Sequence, residues 1–184
     1  VPAPIRPLAV ALAVCGTLFA GAAACGDGGV AQKAAAYLAV ATPSPSTPAE
    51  RRTFARDRFA TNAGLAAGAT YRWIVKPWKA GTFKKGAEGR RAALAEAGLA
   101  GTFARHRLEA AVRNARGDPA LARAVAPLAS GIDALEALTP GLRKGDASAV
   151  RSFQDVVEQV KRAGKSAGAP VTNQVPSPVR LTSG

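Results

Sequence analysis

The chain of 184 residues has no methionine, one histidine and two cysteines, and aromatic residues make up only 5% of it. Each shortage narrows the possibilities. Both cysteines, Cys15 and Cys25, fall within the first 25 residues. The remainder has no disulfide and no thiolate site, and its stability must come from packing. The histidine, His106 in "FARHRLE", has no second histidine to share a metal and no nucleophile set beside it. It reads as a helix-surface or bundle-edge residue. No serine sits in a nucleophile elbow. "KAGTFKKG" lacks the spacing of a phosphate-binding loop, and no strand precedes it. Carboxylates such as Glu158, beside Lys161 and Arg162, read as ordinary pairing on a helix surface. No period of 20–50 residues recurs, which argues against a solenoid. The expectation is a protein with no catalytic residues, no metal and no cofactor.

Acidic residues are also scarce, 12 against 25 lysines and arginines, for a formal net charge of +13. A basic surface attracts phosphate-rich partners: nucleic acid, anionic lipid or wall polymers. A solvated surface in an arginine-biased composition is the plainer alternative. What the chain has in abundance is alanine, within a hydrophobic content of 48%. Alanine is the best helix former. The expected class is all-α, with a core made by helices in close approach.

Between Arg6 and Asp27 the chain carries no charge, reading "PLAVALAVCGTLFAGAAAC" up to Cys25. An apolar run ending in small residues is the pattern of a secretory signal. The segment Ala22-Ala23-Ala24-Cys25, followed by "GDGG", resembles the lipobox of bacterial lipoproteins. That resemblance implies lipid on the Cys25 thiol and cleavage just before it. The family's usual leucine three residues before the cysteine is replaced by Ala22. Leu12-Ala13-Val14-Cys15 has the leucine but lies too early for a full hydrophobic core. Two other readings stay open: a plain signal cut after Ala24, and an uncleaved span of 20 uncharged residues. All of them place the following domain outside the cytoplasm, attached to the bacterial cell membrane in the lipid and span readings.

Residues 26–46 read as a Pro/Ser linker with a possible short helix from Val30 to Ala41. A helical domain over 47–165 follows, with a loose tail over 166–184. Thr47-Pro48-Ala49-Glu50 is a capping box with proline at the first helical position. Phe59, Ala63, Ala66, Thr70 and Trp73 then share one face, and Pro77 is expected to end this helix near Lys76. The next helix starts between Thr82 and Glu88 and runs to Ala115. Gly98 and Gly101 within it signal close approach by another helix. Gly117, Asp118 and Pro119 stop one helix and start the next. Leu121, Val125, Leu128, Ile132, Leu135 and Leu138 form its stripe, which Pro127 kinks or splits. "TPGLRKGD", Thr139 to Asp146, reads as a loop. A last helix from Ala147 to Ala163 buries Val150, Phe153, Val157 and Val160, with Gly164 closing it. The sum is an antiparallel bundle of about four helices.

One stretch stands out: "YRWIVKPWKAGTFKKG", Tyr71 to Gly86, which holds both tryptophans. Arg72, Lys76, Lys79, Lys84 and Lys85 form a candidate surface for an anionic partner. Tyr71, Trp73 and Trp78 are candidate aromatic anchors. Rings beside cations suit a membrane surface, where tryptophans sit among headgroups, and also single-stranded nucleic acid. The same rings would equally plug the end of an alanine-rich bundle, with the lysines in water.

The "AAAC" segment, the Pro/Ser linker and the block from Tyr71 to Leu108 together resemble small secreted proteins or lipoproteins of high-GC actinobacteria. The resemblance implies an envelope location and carries no activity or catalytic residues. The functional expectation is a non-enzymatic, membrane-anchored helical protein that meets anionic lipid, a wall polymer or an envelope protein. The alternative is a nucleic-acid-binding helical module using the Trp73/Trp78 segment.

Overall fold

Thr47 and Glu50 cap the first helix reciprocally. The Glu50 N–H donates to Thr47 Oγ1 at 3.1 Å and the Thr47 N–H to Glu50 Oε2 at 2.9 Å. From this cap onward, the computed structural model describes residues 47–182. The signal segment 1–25 with Cys25, the linker 26–46 and its possible helix lie outside the described residues.

The described residues form an all-α bundle with no strand among them. Helix α1, Pro48–Ala69, continues through a π-helical stretch, Thr70–Val75, into a final turn, Lys76–Lys79. Helix α2 is Arg90–Ala115, α3 is Pro119–Val125, α4 is Ala129–Lys144, α5 is Ala147–Ser166 and α6 is Pro178–Thr182. Neighbours run antiparallel. Arg56 near the start of α1 meets Asp118 just past the end of α2, and Thr70 near the end of α1 shares a cavity with Gln154 of α5. Phe59, Phe103, Phe153, Ile74, Leu108 and Leu135 are among the fully buried side chains at the centre.

Four expectations need correction. Pro77 does not end α1. The turn ahead of it widens, the Lys76 N–H bonding to the Tyr71 carbonyl five residues back. A π turn of this kind lets a helix pass a proline that offers no N–H. Helix α2 starts only at Arg90, because Gly86 and Gly89 take the left-handed conformation at φ 85° and 68°.

Thr139 to Lys144 is helix and not loop, with Pro140 inside α4 and the left-handed Gly145 ending it. An interior proline costs about 3 kcal/mol. Burial of Leu142 returns about 1.5–3 kcal/mol, and its Cδ1 would lie 2.6 Å from a Cβ built on Gly101. Gly98 is covered in the same way by the Arg143 side chain. These two glycines admit α4 as their spacing implied. Pro127 does split its stripe, in a 3-10 turn at Ala126–Leu128, so the described residues form five main helices, consistent with the expected bundle of about four.

The fourth correction concerns the tail. Helix α5 runs past Gly164 to Ser166, and residues 167–182 pack onto the bundle instead of hanging loose. The Gln174 N–H donates to the Gly64 carbonyl at 2.9 Å, and Leu181 of α6 is buried. Gly64 and Gly68 make this possible, since a Cβ on Gly68 would fall 2.0 Å from the Gln174 carbonyl oxygen. Every residue from 63 to 70 is consequently buried.

Asp118 caps α3, accepting from the N–H groups of Ala120 at 2.8 Å and Leu121 at 3.1 Å. Its carboxylate is 1% exposed and takes a 2.6 Å bond from Arg56 Nε. Burial pushes its pKa up, but the bonds from Leu121, Arg56 and Ala120 outweigh that and hold it below the ordinary aspartate value. No helix among the described residues is long and apolar enough to cross a membrane.

Candidate anionic-partner site at the pi turn

The basic-aromatic stretch is sorted by burial along the π turn and the loop after it. Trp73, Ile74 and Val75 turn inward, Trp73 being 6% exposed. Phe83, in the loop, is also buried. Tyr71 is 52% exposed, and Arg72, Lys76, Lys79, Lys84 and Lys85 all face solvent. Trp78 is half-buried, with part of its ring against the core. Trp73 is therefore a core residue and not an aromatic anchor. A large ring released into water would forfeit burial that an alanine-rich interior has few other ways to obtain.

The five cations make no ion pair among the described residues; the Arg72 guanidinium carbon lies 5.9 Å from the Trp73 ring centroid. Lys79 borders two hollows. One, of about 280 Å³, lies beneath the π turn and is lined by Thr70, Tyr71, Gln154, Glu158 and Asn173 as well as Lys79. The Thr70 side chain is buried, and its Oγ1 has no hydrogen-bond partner among the described residues. The other, of about 460 Å³, is a groove between Lys79 and Lys84 floored by Trp78 and Phe83. The first suits a small polar group, since amides, a hydroxyl and charges of both signs converge on it. The second presents two ammonium groups over aromatic surface and suits an anion with an apolar neighbour. The sequence located Tyr71, Lys79, Lys84 and Trp78; it marked Thr70 only as part of a helix face and Glu158 only as a surface pair, and did not single out Gln154 or Asn173. These four come from α1, α5 and the tail, and only the packing of that tail brings Asn173 to the site.

A further hollow of about 500 Å³ is rimmed by Arg90, Arg91 and Arg143 around Leu94 and Leu99, and Leu99 is 40% exposed. His106 takes no part in these sites. Its Nε2 lies 3.2 Å from Arg105 Nη2, and Arg105 pairs with Glu109 and, at 3.4 Å, with Glu136. Glu158 pairs with Lys161 at 3.2 Å, as the helical spacing implied. Among the described residues no three of His, Cys, Asp and Glu gather in a way that could hold a metal ion.

The fold and the site define a class: an all-α helical bundle whose described residues carry exposed cations, without an ion pair among them, beside partly buried rings at a helix junction. No protein-family model, curated protein sequence or solved structure shows a significant match to the chain.

Proposed function

We propose that this is a non-enzymatic helical protein of the cell envelope, held outside the cytoplasm on the bacterial membrane by lipid at Cys25. Its helical domain presents a basic surface to anionic envelope components, with anionic lipid favoured over a wall polymer or an acidic partner protein. The observation that carries this reading is the set of exposed cations, Arg72, Lys76, Lys79, Lys84 and Lys85, without a carboxylate partner among the described residues. Near an anionic membrane each such cation contributes about 1 kcal/mol. One contact would be negligible, but several on a chain already tethered to the surface are not. Tyr71 and Trp78 supply rings for the headgroup layer, and the arginines around Leu99 extend a surface that is cationic and apolar together. The nucleic-acid reading keeps the cations, yet it loses Trp73 as a stacking ring to the core.

Two experiments test the proposal. Cells producing the wild type and Cys25→Ala are labelled with a fatty acid; label on the wild type alone is expected. Equal labelling, with the protein soluble in the cytoplasm, overturns the anchor. For the surface, the Cys25→Ala chain is sedimented with phosphatidylglycerol vesicles and with phosphatidylcholine vesicles. Preference for the anionic vesicles is expected, with a loss on the order of a thousandfold when Lys76, Lys79, Lys84 and Lys85 become Gln, equivalent to about 4 kcal/mol at about 1 kcal/mol for each cation. Equal binding to both vesicle types would remove the basis of the reading. Filter binding to single-stranded nucleic acid across salt, with a steep slope, would favour the alternative.

A further inference from the structure

The geometry points to a second binding site, for a phosphate ester, in a hollow of about 620 Å³ that Arg58, Arg107 and Arg180 line from three different helices. It lies along the middle of α1, from Phe54 to Leu65, and shares no lining residue with the hollows at the π turn. Phe54, Arg58, Thr61 and Leu65 lie at spacings of 4, 3 and 4 and so share one face of α1. Helix α2 contributes Arg107 and Asn114 from across the groove, and α6 contributes Arg180. The packed tail is what completes the set.

Three arginines on a basic protein would ordinarily be solvated surface. Arg107 is the exception. Its Nε is buried and has no hydrogen-bond partner among the described residues. Its Nη1 reaches only Asn62 Oδ1 at 3.5 Å, the outer limit of a hydrogen bond. A permanently charged group with so few acceptors around it is costly to leave unbalanced, and an anion in the hollow offsets that charge without having to reach the buried Nε itself. Two of the guanidinium groups lie over aromatic rings. Arg107 lies 5.0 Å from the Phe103 ring centroid and Arg58 lies 4.2 Å from that of Phe54. A cation–π contact holds the guanidinium in place without using up any of its hydrogen-bond donors.

Charge selects the ligand class. Asp57 is the only carboxylate on the lining and offsets one guanidinium. Two positive charges remain, which a monocarboxylate would half-balance. A phosphate monoester carries about −1.5 to −2 at pH 7 and offers several acceptor oxygens to forked donors. Thr61, Asn62 and Asn114 add neutral polar groups, and Phe54 and Leu65 provide an apolar wall for the organic part. The ester is either a free metabolite or a lipid headgroup, since both present the same group.

The test uses the Cys25→Ala chain. Glycerol phosphate is titrated while the side-chain amide resonances of Asn62 and Asn114 are followed, with chloride as control. In parallel, binding is measured to phosphatidylcholine vesicles with and without phosphatidic acid. Saturable shifts with glycerol phosphate support the site and identify a free ester. Binding that needs phosphatidic acid supports it and identifies a headgroup. In either case Arg58→Gln with Arg180→Gln weakens binding about tenfold. In the glycerol phosphate arm Lys84→Gln with Lys85→Gln does not, which separates this site from the π-turn surface. In the vesicle arm the arginine pair is compared in a chain that already carries both lysine substitutions, so that the π-turn surface is the same on both sides. Both arginines of the first pair lie at the helix surface, so folding, checked by circular dichroism, is retained. Absence of binding in both arms overturns the site, and so does binding that the arginine substitutions leave unchanged.

Discussion

The backbone N–H of Gln174 donates to the carbonyl of Gly64 at 2.9 Å, in the middle of a continuous helix. The carbonyl of a helical residue can accept this second bond because it has two lone pairs. The approach is possible only because Gly64, and Gly68 one turn on, have no Cβ to bar it. This contact seats the tail along α1, and with it Asn173 beside the π turn and Arg180 beside Arg107.

Gly68→Ala tests the seat directly. Alanine favours helix over glycine by about 1 kcal/mol, so on a bare helix the change would stabilise. Here the new Cβ would meet the Gln174 carbonyl oxygen at 2.0 Å. Displacing it should cost about 1–3 kcal/mol, the usual penalty of overpacking. We expect net destabilisation in urea denaturation and faster proteolysis after residue 167. A rise in stability would show that the tail does not pack there.

Pro140→Ala should act in the opposite sense. Pro140 is exposed inside α4, and alanine restores the missing N–H. A gain of up to about 3 kcal/mol is expected from chemical denaturation. Were α4 to end before Thr139, the change would be close to neutral.

The Asp118 carboxyl ties stability to pH. Its folded pKa lies below the unfolded value, so the ionised form is favoured by folding. Its contribution is present above the unfolded pKa, about 3.9, and is lost as pH falls through the lower folded value. Asp118→Asn should therefore reduce stability at pH 7 and make the acid limb below about pH 4 shallower. Asp118→Ala also removes the cap of α3, worth about 0.5–2 kcal/mol. Equal slopes for the Asp118→Asn variant and the wild type in pH-dependent thermal melts would contradict the assignment.

Thr70→Val replaces a buried hydroxyl, unpartnered among the described residues, with a methyl of similar shape. Such a hydroxyl costs about 1–3 kcal/mol, and the substitution should raise the melting temperature. A drop would mean that the hydroxyl has a partner, and crystallography of the protein would then look for it beside Gln154 and Asn173.

The two tryptophans should report separately. With Trp73 in the core and Trp78 half-exposed, the Trp78→Phe protein should emit at short wavelength and resist iodide quenching. The Trp73→Phe protein should quench readily and lose that accessibility on phosphatidylglycerol vesicles. Equal quenching of the two would contradict the inward turn of Trp73.

Sequence alone determined what depends on local chemistry. Thr47 and Glu50 marked the start of α1, Asp118 and Pro119 the start of α3, and Pro127 a break, because a cap or a missing N–H acts on its own neighbours. The stripe of Val150, Phe153, Val157 and Val160 showed which face of α5 is buried, since period alone sets a helix face. The paired glycines Gly98 and Gly101 implied a close neighbour, although not which helix it would be. The basic-aromatic stretch was visible as composition, and helical spacing set Trp73 on the face of Phe59, but which of the other rings would be buried was not legible. Tertiary structure decided whatever depended on contacts distant along the chain. Pro77 and Pro140 stay within helices because packing of Ile74 and Leu142 outweighs a local preference against proline there. The aperiodic tail is ordered because Gly64 and Gly68, far earlier in the chain, leave it a groove. Helical spacing had set Trp73 on the face of Phe59, Ala63, Ala66 and Thr70, and packing put that face in the core; the π turn ahead of Pro77 was announced by no local pattern.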